Sequence, residues 1–84
     1  MTAQPARVTP GEISALLDHA RQLAAGGASL EEQIAYHARK ADLLSRAAAD
    51  LGTVEAHEVA ADAWHYLAGL CRRRDTRTEM EAGR

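Results

Sequence analysis

The chain has no phenylalanine, one cysteine, two prolines, one tryptophan and two tyrosines in 84 residues. Each shortage excludes something. A lone Cys71 forbids an internal disulfide, so the fold is not a cystine-stapled one. Leu, Ile and Val together fill only fourteen positions, and the three β-branched valines and two isoleucines are too few to build a sheet. No apolar run approaches the roughly 18–20 residues a membrane helix needs. The segment Met1 to Pro10 lacks the apolar core of a signal peptide, so export is not expected and the cytoplasm is the expected location. There is no large excess of charge of either sign: ten basic and twelve acidic side chains give a formal net charge of -2. That balance argues against a globally basic nucleic-acid binder and against a disordered acidic tail protein. The length allows one small domain.

What is present is alanine, at nineteen positions. Alanine loses no side-chain entropy in a helix and lets helices approach closely. The expectation is an all-α chain, and the boundaries are marked. Thr9-Pro10-Gly11-Glu12 offers an N-cap, a proline at the first helical position and a glutamate three residues after the cap, the elements of a capping box. Val8 and Ile13 can staple across that start. A helix over about 10–25 then places Ile13, Leu16, Leu17, Ala20, Leu23 and Ala24 on one stripe, and Gly26-Gly27 ends it. Ser29-Leu30-Glu31-Glu32 reads as a second capping box. The helix after it, about 30–51, carries Leu30, Ile34, Ala41, Leu44, Ala48 and Leu51, widened by Tyr36, Leu43 and Ala47. Arg39, Asp42, Arg46 and Asp50 form the opposite face, expected to be solvated, with Asp42–Arg46 and Arg46–Asp50 at ion-pair spacing. Gly52 stops this helix and Thr53 caps a third, about 54–74. Its broad apolar face runs from Ala56 to Leu70, with Trp64 and Cys71 at a margin. Residues 1–8 are expected to form a flexible arm, 9–75 the domain and 76–84 a disordered tail.

The brief Gly52-Thr53 connection predicts a long antiparallel αα-hairpin. Its core is thin for a lone protomer, and the stripe margins hold Tyr36, Leu43, Trp64 and Tyr66. A wide apolar margin on a soluble chain marks an interface. These four residues are therefore the expected contact set, and the expected assembly is a homodimer resembling a four-helix bundle. The plainer alternative is a monomeric three-helix bundle whose first helix covers the spare surface.

Candidate chemistry is sparse. Glu58, Asp62 and His65 share one face of the third helix, and Asp62-Ala63-Trp64-His65 echoes the acidic-x-x-His element of carboxylate-bridged metal bundles. With Glu31 or Glu32 from the second helix, an oligomer would gain Glu32, Asp62 and His65 as a ligand set. On those residues the hairpin resembles ferritin-like half-bundles, and the resemblance implies an oligomeric metal site. Asp62 stands where that family has Glu, and the face is one that periodicity gives to water. An exposed polar face with an Asp62–His65 pair is the competing reading. His37 lies within the apolar stripe of the second helix; it is expected to be a boundary histidine bonded to Tyr66 or a carboxylate, rather than a pH-sensitive or metal contact. His57 and His19 imply only packing.

Arg72-Arg73-Arg74 with Arg77 is the one basic cluster. Such charge can touch phosphate, but Asp75, Glu79 and Glu81 dilute it, and cations at a helix C-terminus complement the dipole. Arginines beside Cys71 can activate a thiol, yet no histidine lies within a turn of it and no glycine-rich phosphate loop exists. No enzyme activity, cofactor or metal is expected.

The stretches Val8-Thr9-Pro10-Gly11-Glu12-Ile13 and Ala35-Tyr36-His37-Ala38-Arg39-Lys40-Ala41, in an Ala/Arg-rich, Lys-poor and Phe-free chain, resemble small uncharacterised helical proteins of high-GC actinomycetes. That resemblance implies an accessory or regulatory role and transfers no site residues. Together these features predict a non-enzymatic helical interaction module that partners itself and another protein and no membrane; the alternatives are an oligomeric ferritin-like metal-binding bundle on Glu32, Asp62 and His65 and, less favoured, a weak nucleic-acid-binding accessory factor on the arginine cluster.

Overall fold

A computed structural model describes residues 7–82, which form three α-helices and no strand. Most of the expected arm lies outside the described residues, as does the end of the expected tail. Helix α1 spans Pro10–Ala24, α2 spans Leu30–Leu51 and α3 spans Val54–Ala82.

The capping chemistry at Thr9 sets the start of α1. Glu12 N–H donates to Thr9 Oγ1 at 3.1 Å, and Thr9 N–H donates to Glu12 Oε1 at 3.2 Å, so both halves of the box form. At α2 only one half forms: Glu32 N–H donates to Ser29 Oγ at 3.1 Å. The Glu32 carboxylate makes no bond back; Gln33 Nε2 instead donates to the Ala28 carbonyl at 3.3 Å. The glutamate still favours the positive first turn. Gly52 takes the left-handed conformation (φ 68°), and its N–H donates to the Ala48 carbonyl at 2.8 Å. Thr53 Oγ1 then caps α3 by accepting from Ala56 N–H at 3.1 Å.

Gly52-Thr53 leaves α3 no course but back along α2, and the two form an antiparallel hairpin. Three contacts fix its register. Glu31 at the start of α2 meets Arg74 at 3.9 Å. His37 meets Tyr66 with ring centroids 4.5 Å apart. Ser45 Oγ accepts from Trp64 Nε1 at 2.6 Å. The core lies along this contact. Ala41, Ala48, Ala60, Leu67 and Leu70 are buried, and Leu70 is the largest side chain fully enclosed. Small alanines allow the helix axes to close up, and the leucines fill what remains.

Two expectations are corrected. The first concerns the end of α3, which continues past Arg74 to Ala82. The stretch after Asp75 has no apolar period, but it also has no glycine or proline before Gly83. Arg, Glu and Met are good helix formers, and Thr78 Oγ1 donates back to the Arg74 carbonyl at 3.0 Å. Lack of amphipathicity removed a packing partner, not the helix. The second concerns α1. It packs on α2 and not on α3, and it does so over the side expected to face water. Leu43 is 6% exposed, at a cleft it shares with Gly11, Glu12 and Ala15 of α1. Arg46, expected in solvent, is half-buried there. No residue of α1 is itself fully buried, and Ile13 and Leu17 stay about half exposed.

Candidate interaction surface

Four rings pass from α1 across the hairpin. His19 stands edge-on to Tyr36 at 5.3 Å between centroids, Tyr36 edge-on to His37 at 4.9 Å, and His37 tilts against Tyr66 at 4.5 Å. Edge-to-face pairs of this kind add to simple burial. His37 therefore meets Tyr66 as expected, but by ring contact and not by a hydrogen bond. Partial burial pushes its imidazole below the ordinary value, and the nearby Lys40 ammonium pushes the same way.

The four expected interface residues divide into two pairs. Leu43 is buried beneath α1 and Tyr36 is half-buried against His19, so α1 takes both. Trp64 and Tyr66, on opposite margins of α3, remain 46% and 51% exposed, and Val59, which shares a depression with Tyr66, 51%. The Trp64 indole spends its one donor on Ser45, which fixes the ring while leaving its faces open. Tyr66, Val59 and Asp62 border a 330 Å³ depression closed on the α2 side by His37, Lys40 and Leu44. Sequence periodicity places Val59 in the core; it stands at the rim, and the adjacent Ala60 takes the buried position of that turn.

A larger groove of 890 Å³ lies at the other end of the hairpin, where α3 outruns α2. Leu30, Gly69 and Met80 give it apolar walls, and Arg72, Arg73 and Arg77 line it. The sequence reading missed this groove because it ended the third helix at Arg74. The arginine cluster is split by helix geometry: Arg74 turns to Glu31 and Asp75, at 3.9 and 3.5 Å, while the other three face the groove.

The ligand set Glu32, Asp62 and His65 is not brought together in one protomer. Glu31 pairs with Arg74, which puts Glu32 at the far end of the hairpin from Asp62, itself beside Lys40 and Leu44. Among the described residues no group of three His, Cys, Asp or Glu side chains is placed to hold a metal ion. Asp62 and His65 are both exposed, and neither pairs with the other. Cys71 is half-buried and free. No helix of the described residues is long and apolar enough to cross a membrane.

The two α2–α3 clefts and the open flank of α3 are thus the features with the capacity to bind. No family model matches the chain, and neither the curated proteins nor the solved structures give a match to it.

Proposed function

We propose that the chain is a non-enzymatic interaction module that acts through self-association, in a regulatory or accessory role, and presents its aromatic margin to a protein partner. The observation that supports this is the placement of α1. Among the described residues it is the one helix outside the hairpin, and it lies on the Leu43 and Arg46 side of α2. Trp64, Tyr66 and Val59 of α3 are left about half exposed. Aromatic anchors of this type carry most of the energy of protein interfaces. The thinness of the core, five alanine and leucine side chains along the hairpin contact with Leu43 beneath α1, is the second support, since small helical domains gain much of their stability by assembly.

The test is the dependence of the thermal midpoint on protein concentration. A protomer stabilised by a second copy melts at a higher temperature as concentration rises. A hundredfold range should raise the midpoint by several degrees. A midpoint that stays constant over that range contradicts the reading.

A further inference from the structure

Glu55, Val59, Asp62, Tyr66, Gly69, Arg73, Thr76 and Met80 follow one another along α3 at alternating steps of four and three residues. That spacing keeps all eight on one stripe, the seam of a two-helix coiled coil. The stripe is open: Val59, Tyr66 and Met80 are 51%, 51% and 69% exposed. Both grooves lie along it, Val59, Asp62 and Tyr66 at the edge of one, Gly69, Arg73 and Met80 in the other.

Its charges are segregated. On the stripe itself the first half carries Glu55 and Asp62 and the second carries Arg73, with Glu58, Arg72, Arg77 and Glu79 on its flanks. Glu55, Glu58, Asp62, Arg72 and Arg73 form no ion pair or side-chain hydrogen bond with any described residue. A stripe that is acidic in its first half and basic in its second complements itself when turned end for end.

We propose that this stripe docks on the same stripe of a second copy, antiparallel, about a twofold axis passing between Leu67 and Ala68. Asp62 of each copy then lies opposite Arg73 of the other, being equally far from that axis. Val59 lies opposite Thr76 by the same rule, Glu55 opposite Met80 and Tyr66 opposite Gly69. Along the stripe itself no two like charges face each other in this register. Sliding the helices by one turn loses the Asp62–Arg73 match.

Gly69 gives independent support. A glycine inside a helix weakens it relative to alanine. The protomer does not require one here: a Cβ at Gly69 would meet only the Arg72 side chain, at an ordinary 3.9 Å, and its φ is not in the left-handed region. A second copy does require it, because the Tyr66 ring of that copy needs the space. The basic groove of one protomer receives the acidic, aromatic half of the other, and the α2 residues Leu30, His37 and Leu44 of both copies flank the seam on one side.

This inference rests on the self-association proposed above and names its surface. Its test is a charge exchange read by sedimentation. Asp62→Arg and Arg73→Asp, both at exposed positions, are each expected to weaken the dimer by about tenfold or more, since each sets like charges together twice. The double variant is expected to return to within about threefold of the wild type. Gly69→Ala is expected to raise helix stability while weakening self-association. Spin labels on Met80→Cys, in a Cys71→Ser background, should lie about 38 Å apart from the helix rise alone, against about 10 Å for parallel helices. A wild type that dimerises, but whose mass is indifferent to all three charge variants, overturns the seam, gives the stripe to some other occupant and leaves self-association standing. A short label distance overturns it equally. A wild type that never dimerises removes both proposals.

Discussion

Glu12 and Arg46 lock the first helix to the second. Arg46 Nη1 donates to Glu12 Oε1 at 3.3 Å and Nη2 donates to Oε2, while Arg46 Nε reaches Asp42 at 3.2 Å. The same Glu12 carboxylate accepts from Thr9 N–H and so closes the N-terminus of α1. One residue holds a local cap and a tertiary clamp together. Arg46→Met should therefore release α1 while leaving the hairpin folded. Amide exchange checks this: protection should fall over Pro10–Ala24 and persist over α2 and α3. Thr9→Ala removes only the cap and should speed local opening of α1 by about fivefold, the equivalent of ~1 kcal/mol.

Acid should undo the same lock. Arg46, followed by the Thr9 backbone, holds the Glu12 carboxyl below its ordinary value of 4.5. In the window below 4.5 the unfolded chain binds a proton that the folded chain does not. The contribution is thus complete above pH 4.5 and is lost as pH falls through the lower folded value. Loss of α1 protection on acidification, absent in Glu12→Gln, is the expected result.

His37 sets a second pH window with the same sign. Its imidazole lies below the ordinary 6.5 because burial disfavours the cation and Lys40 repels it. Tyr36 and Tyr66 face it from either side, and Lys40 and Asp62 share its depression. The unfolded chain binds more protons between 6.5 and the folded value, so stability is full above pH 6.5 and declines as pH falls through that window. The urea midpoint should drop between pH 7.5 and 5.5, and His37→Gln should flatten that part of the curve.

The sequence marked the helix starts accurately because caps are local. Thr9, Ser29 and Thr53 each bond an N–H within three residues of themselves, and Gly52 takes a conformation that few other residues accept. What periodicity cannot show is which element covers which flank. The polar side of α2 was assigned to water, yet the Glu12 carboxylate made Arg46 a docking point and Leu43 a buried residue. That pairing joins residues far apart in sequence and leaves no local trace. The extension of α3 was missed for the opposite reason. Periodicity reports a buried face, and a helix that overhangs its partner has none. The basic groove, and the stripe that runs on to Met80, appear only when that overhang is included.

The hairpin core should be intolerant in both directions. Leu70 is 1% exposed, and Leu70→Ala should cost about 2–5 kcal/mol, enough to unfold much of so small a domain. Ala41 is wholly buried, and Ala41→Leu should cost about 1–3 kcal/mol by forcing the helices apart. Urea denaturation followed by circular dichroism measures both.

Trp64 fixes the register of the hairpin through Ser45. Trp64→Phe retains a ring and deletes the donor, and Ser45→Ala deletes the acceptor. Each should cost about 0.5–1.5 kcal/mol, and the double variant little more than either alone. Full additivity would show that the bond contributes nothing.

The central claim is that a single protomer is an incomplete assembly. Sedimentation equilibrium on the untagged chain, from low to high micromolar concentration at moderate salt, tests it most directly. A mass rising from the 9.0 kDa of one chain to twice that value, with the transition moving to higher concentration as salt increases, is the predicted result. A mass of one chain throughout the range would contradict it.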